Sequence, residues 1–174
     1  MKTTGIVRRI DELGRVVIPK ELRRTMHIKE GEEMEVFVAP DDTLVLKKYS
    51  ALKALSDFSA EYAEILYKYT GHNCLVCDND IFISCATDKS VYEGKRISKA
   101  LENFLNARKA SYIRSDAVFS VANEGIDYKD MAIAPLIVNG DVMGGIMLVG
   151  KTPVGESSLK LVEVAAGFLA KQIG

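Results

Sequence analysis

No apolar run in this chain of 174 residues approaches the roughly 18 needed to cross a bilayer, which excludes a membrane-spanning helix. The opening MKTTGIVRRIDE lacks the apolar core of a secretory leader, so the chain reads as cytoplasmic. Histidine is scarce. His27 and His72 fall in different halves of the pattern described below, and neither belongs to a metal-spaced His/Glu motif. There is no Gly-rich phosphate loop and no nucleophile elbow. Nothing points to an enzyme, and no cofactor is implied. Cysteine is limited to Cys74, Cys77 and Cys85. With His72 they offer four potential zinc ligands, since Cys74 and Cys77 have CxxC spacing. The surrounding residues argue otherwise. Cys74-Leu-Val-Cys77 sits in an apolar strand pattern, where alternation sends the two thiols to opposite faces. They read as small buried hydrophobes, and no metal site is expected.

What remains is an ordinary globular composition, 48% hydrophobic and 27% charged, with a net charge of −1. The length fits one medium domain, or a small one followed by a medium one. The charge is unevenly spread. Residues 5–24, GIVRRIDELGRVVIPKELRR, hold six cations (Arg8, Arg9, Arg15, Lys20, Arg23 and Arg24) against three acids (Asp11, Glu12 and Glu21), a local net of +3. Five of the six are Arg, the side chain that forks onto phosphate and onto guanine edges. A basic patch on a near-neutral chain is an electrostatic footprint for nucleic acid.

Residues 1–48 read as strands around one short helix. A strand is expected over 5–10, a turn over 11–14 with Gly14 supplying the permissive backbone, and a second strand over 15–18. Pro19 opens a helix over 20–27. Residues 34–39 and 43–48 form a hairpin across Pro40-Asp41-Asp42. Fewer than about 50 residues bury too little surface to be stable alone. Size therefore predicts completion by a second copy, an obligate dimer.

Residues 49–51 form a joint that lacks Gly and Pro, and so is expected to be stiff. From there Leu52, Leu55, Phe58, Tyr62, Ile65, Leu66 and Tyr69 recur at three- and four-residue spacing, an amphipathic helix of about five turns closed by Gly71. Short strands are expected over 74–77 and 81–85, a helix over 97–109 capped by Ser98, and a strand over 118–122. Two apolar strands, 131–138 and 142–149, meet at Asn139-Gly140, a strong hairpin signal. Pro135 marks its strand as an edge or as bulged. A last helix starts near Glu156. Its seam of Leu159, Val162, Ala166, Leu169 and Ile173 has three candidate partners: the domain's own sheet, the helix starting near Leu52, or a second subunit. The fold class is α+β, with a small strand-rich domain over 1–49 and a second domain over 50–174 whose central antiparallel sheet is flanked by helices.

The run TGIVRRIDELGRVVIPKELRRTMHIKEGE, followed by MEVFV and LVLKKY, resembles the DNA-binding domain of AbrB-type transition-state regulators. The resemblance covers the whole first domain. It implies a swapped-hairpin β-barrel in which two chains interleave as an intertwined dimer. Residues 50–174 resemble a GAF domain. The pairing, together with the closing AAGFLAKQI, resembles a subfamily of sporulation regulators of endospore-forming Bacilli and Clostridia. By resemblance the DNA contacts fall on Arg8, Arg15, Arg23 and Arg24, in the stretches GIVRR, LGRVVIP and ELRR. Arg9, Lys20 and Lys2 are secondary contacts. Arg9 alternates with Arg8 along its strand and faces the other side. The competing reading of each arginine is a solvated or acid-paired surface charge.

The resemblance implies double-stranded DNA as partner, and a protein of the cytoplasm associated with the nucleoid. The second domain is expected to join dimers into a homotetramer, raising avidity. GAF domains often enclose a ligand pocket, expected here between 85–102 and 117–130. A small-molecule effector of unknown identity is the open alternative to pure oligomerisation. The helix at 20–27 has only about two turns, so sequence reading is expected to lean on DNA deformability. His27 reads as an exposed bystander rather than a pH sensor. The rivals are an antitoxin, whose disordered toxin-binding tail this chain replaces with a folded domain, and a ligand sensor without DNA, which leaves the arginines unexplained.

Overall fold

The computed structural model describes residues 5–122, 126–150 and 152–174. The chain divides into two compact units, Met1–Tyr49 and Ser50–Gly174.

In the first unit, Pro19 leads into helix α1 (Lys20–Thr25), its fixed φ of −57° suiting the entry. Strands β1 (Met34–Val38) and β2 (Leu44–Lys48) pair antiparallel, with Met34 opposite Lys48 and Val38 opposite Leu44. The turn between them places Asp42 at a φ of 58°. Residues 5–10 and 15–18, expected as strands, lie in no ladder within the single chain. Only the turn joining them is formed, with Arg15 O accepting from Asp11 N at 3.0 Å and Gly14 at a φ of 75°. The physical reason is a missing neighbour. A strand needs a second strand along its edge, and β1 and β2 pair with each other.

The second unit is a five-stranded antiparallel sheet between two helical layers, ordered β4-β3-β7-β6-β5. Its strands are β3 (Asn73–Cys77), β4 (Phe82–Cys85), β5 (Ser111–Ala122), β6 (Ile126–Val138) and β7 (Asp141–Val149). Its helices are α2 (Ala51–Ala54), α3 (Ser56–Thr70), α4 (Lys89–Tyr92), α5 (Lys99–Asn106) and α6 (Ser158–Ile173). The expected five-turn helix is thus two. Ser50 caps α2 by accepting from Lys53 N, and Leu55, at φ −103° and ψ 24°, breaks the run. Gly71 ends α3 in the left-handed region, as its position predicts.

Both sheet faces are dry, so the strands are apolar throughout. On one face Cys74, Val76, Ala132, Ala134, Ile146 and Leu148 pack under α2, α3 and α6. On the other, Leu75, Cys77, Met131, Ile133, Met147 and Val149 pack with Leu101 and Leu105 of α5 and Tyr92 of α4. Cys74 and Cys77 therefore point to opposite faces, as alternation requires. The Asn139-Gly140 turn has both residues at positive φ, 49° and 88°, the geometry that matches strand twist in a two-residue hairpin. Strand β6 is interior, not an edge. Pro135 is tolerated because pairing with β5 ends at Ile133, and the β7 ladder shifts register just after it, at Leu136/Ile137. Gly144 is required by space as well as conformation, since a Cβ there would lie 2.0 Å from Cys77 O.

Of the three partners open to the α6 seam, the domain's own sheet is used within the chain. Val162, Ala166 and Leu169 are buried on the sheet. Phe168 stacks on Tyr62 of α3, with ring centroids 5.4 Å apart.

Candidate nucleic-acid interface

The cations of the first unit sit on two local scaffolds. One is the turn at 11–14. Asp11 Oδ1 accepts from the backbone N–H groups of Leu13 (3.0 Å) and Arg15 (2.8 Å), and Asp11 Oδ2 accepts from Arg15 Nε at 2.8 Å. The Arg15 backbone N–H, followed by its guanidinium, holds the Asp11 carboxyl below the usual carboxylate range. The pair is exposed, so it orients the Arg15 stem while leaving its terminal nitrogens toward water. Arg8 and Arg9 are exposed on the incoming arm, and Arg8 Nη1 donates to Val7 O at 3.1 Å.

The second scaffold is α1. Lys20 opens it, and Arg23 and Arg24 lie in its last turn, three and four residues on, hence on the same side of the helix. Cations there also complement the negative end of the helix dipole, a purely structural benefit. Lys20 and Arg24 are exposed. Arg23 is half-buried, and its Nε is buried without a hydrogen-bond partner among the described residues. Lys2 lies outside the described residues.

The end of α1 is fastened to the hairpin. Lys48 Nζ donates to His27 O at 2.7 Å and pairs with Glu32 at 3.2 Å. Glu32 also accepts from Lys29 N at 2.7 Å. His27 adopts a φ of 54° here, so its backbone serves the joint while its side chain is exposed.

The unit has almost no core. Pro19 is its sole buried residue among those described. Val7 is 85% exposed, and Val17 and Val38 are each 71% exposed, beside exposed Ile10, Leu13, Val16, Val36 and Leu44.

In the second unit the described part of the region expected to enclose a ligand goes largely into the core. Tyr92, Ile97, Leu101, Leu105 and Ala122 join one core cluster, and Tyr92 and Tyr128 hydrogen-bond through their hydroxyls. A cleft of about 450 Å³ lies elsewhere, beside β4, between the α2–α3 break and α4. It takes Lys89, Glu93 and Gly94 from the expected range and none of the described residues of 117–130. Sequence patterning missed it because one side, Lys53, Ser56, Asp57 and Ala60, reads only as a face of one long helix, while residues 81–84 read only as a short strand.

A cation-bearing helix-and-hairpin unit with almost no core is followed by a five-stranded sheet between two helical layers. The family described as "Stage V sporulation protein T C-terminal, transcription factor" matches residues 54–174. Stage V sporulation protein T of Bacillus subtilis (strain 168) is 47% identical over 178 residues, 99% of each chain. The chain belongs to the stage V sporulation protein T family of transcription factors. Transition state regulatory protein AbrB of the same organism is 61% identical over 49 residues, covering 28% of this chain and half of that one. A bacterial antitoxin family, antidote-toxin recognition MazE, matches only residues 7–53. The second GAF domain of DevS from Mycobacterium smegmatis superposes with a TM-score of 0.54 at 16% identity, covering 70% of this chain and 92% of that one. That likeness shows a GAF fold for the second unit. Among the described residues no helix is long and apolar enough to cross a membrane.

Proposed function

We propose that two copies of residues 1–49 interleave their hairpins into one barrel, and that the barrel grips double-stranded DNA at sporulation promoters in the cytoplasm, on the nucleoid. The observation that carries the dimer is the coreless first unit, with its valines and leucines in water and its expected strands unladdered. A second copy supplies both missing terms, a strand edge and an apolar partner. Pairing doubles Arg8, Arg15, Arg23 and Arg24 into eight guanidiniums. Their first effect is phosphate neutralisation with counterion release, and some fork onto guanine edges. Arg9, Lys20 and Lys2 add phosphate contacts. The short α1 leaves much of the sequence reading to DNA shape, which favours loosely defined sites at which the protein acts as activator or repressor. The chain performs no catalysis of its own in this reading.

Residues 50–174 join two such dimers into a tetramer. Supporting this, the outer sides of α3 and α6 carry exposed Ile65 and Tyr69, and Leu161 and Val164. Light scattering on the full chain is expected to give four times the chain mass, with promoter DNA bound by that species. A monomer that binds no DNA would overturn the proposal. It would favour the antitoxin-like or ligand-sensing alternative, for which the match over residues 7–53 is the supporting observation.

A further inference from the structure

The second unit holds a cleft whose chemistry is specific enough to name a class of ligand. It runs beside edge strand β4, with a volume of about 450 Å³, within the range of small-molecule sites. The α2–α3 side carries Lys53 and Asp57 and the α4 side Lys89 and Glu93, with Ala60 of α3 and Ile83 of β4 as apolar lining. Each wall therefore presents one cation and one carboxylate. One ion pair crosses between the two sides, from Lys89 of α4 to Glu64 of α3 at 3.4 Å. Among the described residues Lys53, Asp57 and Glu93 enter no ion pair, which leaves charge of both signs unpaired in the cleft.

The strand edge is open where the cleft begins. Gly94 N donates to Phe82 O, and Phe82 N donates to Lys95 O, so the segment after α4 covers β4 at Phe82. Beyond Phe82 this cover stops, and Ile83 and Ser84 line the cleft. Behind them lies a buried hydroxyl relay. Ser59 donates to Ser56 O at 2.9 Å, which leaves Ser84 as donor in its 2.8 Å bond to Ser59. The relay is buried and ties β4 to α3 behind the cleft.

A ligand of one charge would leave either Lys53 or the two carboxylates, Asp57 and Glu93, facing a like charge. A zwitterion satisfies both, its carboxylate toward lysine and its ammonium toward aspartate or glutamate, with an apolar side chain over Ala60 and Ile83. We infer that this cleft binds a free α-amino acid with an apolar side chain, through paired Lys and Asp/Glu contacts on its two walls. The inference rests on the effector reading of the second domain, not on DNA binding. Because Lys53 and Asp57 lie on either side of the helix break at Leu55, a bound amino acid fixes α2 against α3.

The test is isothermal titration of the full chain with each of the twenty free L-amino acids, then with the N-acetyl and C-amide derivatives of any that bind. Saturable binding by apolar amino acids is expected, lost when either charged end is blocked. Lys53→Met and Glu93→Gln should each weaken it about tenfold, the consequence of losing one contact worth about 1.4 kcal/mol. Both residues are exposed, so the variants are expected to fold, and unchanged circular dichroism would confirm it. No binding by any amino acid would overturn the inference, as would binding that survives blocking or survives both substitutions. DNA affinity measured on the same sample keeps the two readings separable. Intact DNA binding with no amino-acid binding sinks this inference alone.

Discussion

Arg15 and Asp11 close the first turn of the chain on each other, Nε to Oδ2 at 2.8 Å, while the same carboxylate holds the backbone N–H of Arg15 through Oδ1. A cation proposed to touch DNA is thus positioned by an acid four residues earlier. Asp11→Ala removes the acceptor for three hydrogen bonds in an exposed turn. It is expected to weaken DNA binding several-fold while leaving the second unit unchanged, even though it makes the patch more positive. Fluorescence anisotropy with promoter DNA checks this. A gain in affinity would show that net charge, rather than the placement of Arg15, sets binding.

The Ser59–Ser84 bond joins α3 to β4 in a fully buried setting. Ser59→Ala leaves the Ser84 hydroxyl without its acceptor and is expected to cost about 1–3 kcal/mol of stability in the second unit. Adding Ser84→Ala should recover part of that loss, because neither orphan then remains. Denaturant unfolding of the two variants reads this directly.

Val164 is 68% exposed on the outer side of α6, away from the buried Val162, Ala165 and Ala166. Val164→Glu is expected to leave the fold intact and to convert tetramers to dimers, measured by light scattering. Tetramers that persist in this variant would place the assembly surface elsewhere.

Burial pushes the Cys85 thiol up to about 12 from its usual 9.0, and pushes Cys74 and Cys77 up as well. All three should resist iodoacetamide in the folded chain at neutral pH and react on unfolding, read by mass spectrometry. The sign for stability follows from linkage. The folded thiol ionises later than the unfolded one, so this stability is fully present below pH 9.0 and declines as pH rises from 9.0 toward 12. Thermal midpoints should fall over that window.

Much of this architecture was legible because local chemistry and tertiary structure agree. Asn139-Gly140 forms the only kind of two-residue turn its positive φ values permit, and Gly71 ends α3 for the same reason. Cys74 and Cys77 fall on opposite faces because a strand alternates. Two features were not legible. The helix from Leu52 breaks at Leu55, since apolar spacing continues across the break and carries no signal of it. The β5 ladder begins at Ser111, well before the expected strand at 118–122, because SYIR mixes polar and apolar residues without a clear period. Residues 5–10 and 15–18 have strand-like patterning but no ladder in one chain, as befits segments whose partner is proposed to be another copy. Of the candidate DNA-contacting residues, composition marks the cluster. It does not distinguish half-buried Arg23 from exposed Arg24, a difference set by how α1 packs.

The central claim is that these arginines hold DNA phosphates, and the direct measurement is DNA affinity against salt for the native chain and for the Arg15→Ala/Arg23→Ala double variant. Each phosphate contact contributes about 0.9 to the slope of log affinity on log salt, so losing two residues from each chain of a dimer should flatten it by about 3 to 4. A steep native slope that flattens by this amount, with oligomeric state unchanged, is the predicted result. A native chain that shows no measurable DNA binding, or a variant whose slope matches the native one, would contradict the account.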